Sequence, residues 1–183
     1  SPQEFSDVKT ALQLADWVAS SKKFQSTDLF LRDGRNSVID NIKKKGLMLK
    51  FFQKKAKEIK ERRLWLRAPT GTGKTEALLL WAGDAQRLIY LLPTQATANA
   101  MWQRLKSIYG DQNVGLVHGR AGYILRKELE EGALDEKLWA GVFAKPVVVG
   151  TLDQYLFAHL HGRHWEIRRA LARRATVILD EIH

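Results

Sequence analysis

Ala68-Pro69-Thr70-Gly71-Thr72-Gly73-Lys74-Thr75 decides how this sequence folds. The stretch fits the phosphate-binding loop pattern G-x-x-x-x-G-K-T, with Ala68 in place of the first glycine. The apolar run Leu64 to Ala68 precedes it and a helical stretch near 74–83 follows, the strand–loop–helix order that the pattern needs. Gly71 and Gly73 permit backbone conformations closed to other residues, so successive N–H groups can point inward at phosphate oxygens. The start of the following helix adds partial positive charge. In that setting Lys74 reaches the β- and γ-phosphates of a nucleotide, and the Thr75 hydroxyl ligates Mg²⁺. Thr70, Gly71, Thr72 and Gly73 complete the candidate nucleotide-binding loop.

Outward from the loop, short apolar runs alternate with helical stretches. Leu64 to Ala68, Leu88 to Leu92, Val114 to Val117, Val147 to Val149 and Val177 to Leu179 read as buried strands. Helices are expected near 74–83, 95–109, 121–131 and 152–160. This alternation implies an α/β domain with a parallel sheet covered on both faces. Upstream, the spacing predicts helices over 7–20, 35–45 and 51–62, the second stopping at Gly46. Residues 21–34 are polar and rich in turn formers, which puts a boundary between an N-terminal piece and the α/β domain around 21–47.

The 183 residues carry 30 Lys and Arg against 20 Asp and Glu, a formal net charge of +10, with no cysteine. The length suffices for a real hydrophobic core. The absence of cysteine excludes a disulfide scaffold and thiolate metal sites. No apolar run approaches the ~18 residues that cross a bilayer, so no membrane partner is expected. Excess positive charge suits a polyanionic partner, although charge alone fits a solubilising surface equally well.

A second motif closes the chain: Val177-Ile178-Leu179-Asp180-Glu181-Ile182-His183. A hydrophobic strand that delivers an Asp at its carboxyl end is the Walker B arrangement, whose carboxylate holds Mg²⁺. Glu181, the next residue, can orient and deprotonate an attacking water. An acidic pair at a strand end is usually a solvated turn; downstream of a phosphate-binding loop it reads as catalytic.

Together these motifs resemble the first RecA-like domain of superfamily 2 helicases, with Asp180-Glu181-Ile182-His183 as a DExH box. The resemblance implies that Lys74 and Thr75 serve ATP and Mg²⁺, Asp180 the metal and Glu181 catalysis, while His183 couples the site to a second domain. It also implies that Gln53 reads adenine. Leu92-Pro93-Thr94-Gln95-Ala96-Thr97-Ala98-Asn99-Ala100-Met101 resembles helicase motif Ia, and Val149-Gly150-Thr151-Leu152-Asp153-Gln154 resembles motif Ib. Thr94, Gln95, Thr151 and Gln154 are thereby candidate contacts to the backbone of a single strand. Each segment also reads as an ordinary capped helix start.

The wording of the loop, of motif Ia and of Gly150-Thr151-Leu152-Asp153-Gln154 is similar to that of the CRISPR-associated helicase–nucleases of type I systems. That family places an HD-type nuclease domain before the helicase core. The resemblance implies a cytoplasmic enzyme recruited by an RNA-guided Cascade-type complex to displaced single-stranded DNA, which it unwinds and degrades with ATP. Residues 1–20 then correspond to the last helix of the HD domain, 21–47 to a linker, and 48–183 to part of the first RecA-like domain. Asp16 stands in an Ala15-Asp16-Trp17 context that matches a ligand to the nuclease's divalent transition metal. Its apolar neighbours agree, since a buried lone carboxylate is costly unless paired or metal-bound. A solvated Asp16 at the helix edge is the plainer alternative.

No His-Asp dipeptide occurs, and no histidine precedes His118, so this stretch cannot complete an HD site alone. It also stops before the family's Ser-Ala-Thr motif and second lobe, and alone is expected to be inactive. His159, His161 and His164 lack the i, i+4 spacing of a helical metal pair and read as a polar loop. Trp102 lies near the candidate DNA track, where packing is favoured over stacking on a base. Two other readings stay open: another superfamily 2 DExH RNA or DNA helicase, and a fragment that binds nucleotide and DNA without turnover.

Overall fold

The computed structural model describes residues 29–117, 144–161 and 172–181, together with Leu12. Its helices are α1 (Gly34–Lys44), α2 (Phe51–Glu58), α3 (Lys74–Ala82), α4 (Gln95–Tyr109) and α5 (Leu152–His161). Its strands are β1 (Arg87–Leu92), β2 (Val114–Leu116), β3 (Val147–Thr151) and β4 (Ala175–Leu179). The four strands form one parallel sheet in the order β2-β3-β1-β4. Parallel neighbours need crossovers; α4 connects β1 to β2 and α5 follows β3, and side chains pack on both faces of the sheet.

All six residues of β1 are buried, because the strand lies between β3 and β4 with helices above and below. Its side chains alternate between two cores. Leu88, Tyr90 and Leu92 pack with Val38 of α1, Leu79 and Leu80 of α3, and Leu105 of α4. Ile89 and Leu91 face the other way, against Val148, Tyr155 and Leu152. Helix α1 forms within the span assigned to the linker, and its Val38 and Ile42 belong to the larger core. This part of the linker is therefore packed on the α/β body.

Arg87 opens β1 although it is a charged residue, and only 3% of it is exposed. Its guanidinium donates to Leu29 O at 2.6 Å and to Lys145 O at 3.0 Å. Burial lowers its pKa to about 10, so the group remains charged and clamps two loops at the amino end of the central strand.

Several expectations need correction. Leu64 to Ala68 forms no strand and pairs with none among the described residues, and Trp65 is 96% exposed. Leu64, Leu66 and Ala68 keep the half-buried alternation of a strand; the ladder partner is what is missing. The outer edge of β4 is likewise unpaired in the described sheet, with Val177 and Leu179 exposed. Helix α2 stops at Glu58, short of Arg62, where Ile59 turns to an extended conformation. Glu58 and Glu61 oppose the negative end of a helix dipole there. Helix α5 runs through His159 and His161, which were expected in a loop, because nothing breaks the helix before Gly162. The helices expected over 7–20 (Leu12 apart) and 121–131 lie outside the described residues, as do Asp16, His164 and His183. Leu12, expected on an apolar helix face, is exposed.

Leu79 is fully buried in the larger core, whereas Leu47 is exposed. Leu79→Ala should therefore cost about 2–5 kcal/mol in urea unfolding. Leu47→Ala should change stability by less than about 0.5 kcal/mol.

Candidate nucleotide-binding site and the strand edge beside it

The parallel register brings the candidate residues to one edge. Leu92 of β1 stands opposite Thr151 of β3, and Leu91 opposite Leu179 of β4. The loops to Thr94 and Thr151 and the turn at Asp180 thus leave the sheet at its carboxyl end, where ligands of open α/β sheets bind. The Asp180 N–H donates to Leu91 O at 3.0 Å, extending the β1–β4 ladder one rung past the strand. Glu181 then adopts a left-handed conformation, φ 56°. Such strain in a non-glycine residue is typical of functional sites.

The phosphate-binding loop enters α3 from the same side. Gly71 and Gly73 both have positive φ, 75° and 96°. At Gly73 the requirement is also steric: a Cβ would stand 2.5 Å from the Gln53 Nε2. Gln53 is 4% exposed. Its amide oxygen accepts from the Lys50 N–H at 2.9 Å, and its amide nitrogen donates to Gly73 O at 3.1 Å. Lys50 Nζ donates to Thr72 O at 2.8 Å, and the Thr72 hydroxyl donates to Pro69 O at 2.7 Å. The loop is thus shaped by its own side chains and by α2.

Lys74, Thr75, Asp180 and Glu181 line one cavity of about 490 Å³, together with residues 70–73, Gln53 and Arg104. The size falls within the usual range for small-molecule and cofactor sites. Its lining fits a phosphate ligand with Mg²⁺: backbone N–H groups, the Lys74 ammonium, the Thr75 hydroxyl and the Asp180 carboxylate. Among the described residues no three His, Cys, Asp or Glu side chains gather as a metal cluster. A cation here would take few protein oxygens and share the rest with phosphates and water, which suits Mg²⁺.

Three residues at this site carried no signal in the sequence. Tyr90 is fully buried, and its hydroxyl donates to Asp180 Oδ2 at 2.6 Å. Burial pushes the Tyr90 phenol far above its ordinary pKa, and the bond to Asp180 adds to the shift, so the group is a fixed donor. Thr75 lies beside the same phenol and offsets part of the shift. Arg104 of α4 donates to Thr75 Oγ1 at 3.3 Å and pairs with Glu76, whose carboxylate is nearly buried. These partners lie 28, 29 and 90 residues apart in the chain, beyond any local pattern. On α4, Thr97, Met101 and Arg104 fall at helical spacing on one face, toward the cavity.

The candidate strand contacts sit at the same edge, but as caps. Thr94 accepts from the Thr97 N–H at 3.2 Å, and Gln95 donates to Asn99 at 2.9 Å. Thr151 is buried and accepts from the Gln154 N–H at 3.4 Å. Trp102 packs: its ring nitrogen donates to Val114 O at 3.2 Å, and Lys106 lies over the ring.

The family described as DEAD/DEAH box helicase matches residues 51–183. The chain belongs to the DEAD/DEAH box helicase family. A CRISPR-associated nuclease/helicase Cas3 of Methanocaldococcus jannaschii is 38% identical to this helicase-family chain over 146 residues, covering 72% of it and 20% of the relative. The CRISPR-associated endonuclease/helicase Cas3 of Escherichia coli K12 is 33% identical over 144 residues, covering 64% of the chain and 16% of the relative. The chain thus spans a fifth or less of the length of these relatives. The resemblance to CRISPR-associated helicase–nucleases is borne out. A crystal structure of T. fusca Cas3-AMPPNP, 23% identical, superposes with a TM-score of 0.56 over 84% of this chain and 19% of that one, which supports the RecA-like α/β fold. Among the described residues no helix is long and apolar enough to cross a membrane.

Gln53→Ala should lower the stability of the nucleotide-free protein by about 0.5–2 kcal/mol in chemical unfolding, since it removes two part-buried bonds and leaves the Lys50 N–H at the start of α2 without its partner. A side chain that only contacts a ligand would leave that stability unchanged.

Proposed function

We propose that this chain is the nucleotide-binding part of an ATP-dependent motor that moves along single-stranded DNA, joined in the intact protein to a nuclease of CRISPR immunity. The observation that carries the reading is the convergence of Lys74, Thr75, Asp180 and Glu181 on one cavity beside the edge bearing Thr94 and Thr151. The backbone N–H groups of residues 71–75 and the N-terminus of α3 bind the phosphates, and Lys74 neutralises their outer end. Thr75 Oγ1 and Asp180 hold Mg²⁺, which offsets charge on the phosphates when bound. Glu181 orients water and accepts its proton. Beyond its two internal bonds, Gln53 has a spare lone pair and a spare amide hydrogen, the set that reads an adenine edge.

Single-stranded DNA lies across the N-termini of α4 and α5, held by N–H groups and by Thr94, Gln95, Thr151 and Gln154. By resemblance to the Cas3 relatives, Asp16 ligates a transition metal in an HD nuclease site and a Cascade-type complex recruits the protein. The motif wording and the names of those relatives support this wider assignment.

In the intact protein, single-stranded DNA should stimulate ATP hydrolysis, and Lys74→Ala should lower the stimulated rate by about a hundredfold or more. Asp16→Ala should abolish metal-dependent DNA cutting and spare the ATPase. Full ATPase activity in the Lys74 variant would contradict the site. Stimulation by RNA but not DNA would favour an RNA helicase.

A further inference from the structure

Helix α4 spans two sites. Its first residues, from Thr94 and Gln95, form the candidate strand-binding edge, and Arg104 in its third turn reaches the phosphate-binding loop. Thr97, Ala100, Met101 and Arg104 face the same cavity. The guanidinium of Arg104 engages two consecutive residues of α3: one nitrogen donates to Thr75 Oγ1 at 3.3 Å and the other pairs with Glu76. A planar fork held at two points fixes direction as well as distance, which a lysine at this position would not do.

The hydroxyl that Arg104 contacts is the one expected to ligate Mg²⁺. Thr75 Oγ1 has two lone pairs: one accepts from Arg104 and one is left for a cation. Thr75 also neighbours the Tyr90 phenol, which donates to Asp180 at 2.6 Å. The two protein oxygens assigned to the metal therefore flank one buried phenol, and Arg104 ties the Thr75 side to α4. In so tightly packed a group, moving one member shifts the others.

We propose that Arg104 is a positioning residue that couples strand binding at the N-terminus of α4 to nucleotide–Mg²⁺ binding at Thr75 and Asp180. The proposal rests on the functional reading above. A strand that tightens the start of α4 sets the height of Arg104, and Arg104 sets the orientation of the Thr75 hydroxyl. By reciprocity, bound nucleotide raises affinity for the strand by the same factor.

The test is equilibrium binding of a fluorescent, non-hydrolysable ATP analogue with Mg²⁺ to the intact protein, with and without oligo-dT. The ratio of the two dissociation constants is the coupling factor, expected at about tenfold in the unsubstituted protein. In Arg104→Ala it should fall to about one, and in Arg104→Lys, which keeps the charge opposite Glu76 and loses the fork, to an intermediate value. If Arg104→Ala fails to fold, the lysine variant decides by itself. An unchanged factor in the folded variants, or no coupling in the unsubstituted protein, overturns the proposal. Lys74→Ala separates the two readings: it should lose analogue binding in both conditions. Wild-type affinity in that variant would defeat the functional reading itself.

Discussion

The pairing of β1 with β3 on one side and β4 on the other is the constraint on which the rest depends. It is a backbone matter, fixed by the ladder that runs to Leu92 and Thr151 on one flank and to the Asp180 N–H on the other. A slip of one residue would turn Tyr90 to the opposite face and separate it from Asp180. It would also send the residues of each core to the other face and take Arg87 from its two carbonyl partners. Because both cores pack against alternate residues of β1, the register that forms the cores is also the register that assembles the site.

The site itself divides into a rigid part and a contacting part. Gln53, Tyr90 and Glu76 are buried and satisfied by protein partners, so they hold geometry in the absence of any ligand. Lys74, Asp180 and Glu181 line the cavity and supply charge. That division is what a phosphate site needs: donors fixed in advance, so that little ordering is left for the moment of binding. The same economy places Thr94 and Thr151 as caps, since a hydroxyl that ends a helix neatly also presents the helix's N–H groups to an anion.

Much of this was legible in the sequence. Four of five expected strands and the helices over 34–44, 74–82 and 95–109 form within a residue or two, because apolar spacing and glycine stops are local signals. The loop 68–75 carried its own strand–turn–helix context. Leu64 to Ala68 shows where local signals end: its side chains alternate as a strand's should, yet strand identity depends on a partner. Tyr90 looked like one more core residue of β1, and Arg104 like one more cation on an amphipathic helix. Their roles arise only when the fold brings together Thr75, Tyr90, Arg104 and Asp180. Resemblance gives Gln53 a base-reading role; its strut between Lys50 and Gly73 depends on the fold, which brings α2 against the loop.

The most direct measurement is a crystal structure of the intact protein with a non-hydrolysable ATP analogue and Mn²⁺ in place of Mg²⁺, with the metal located by its anomalous signal. The expected result is a triphosphate wrapped by residues 71–75 and a single Mn²⁺ peak reached by Thr75 Oγ1 and, directly or through one water, by Asp180. A nucleotide bound elsewhere, or a metal peak in contact with neither residue, would contradict the account.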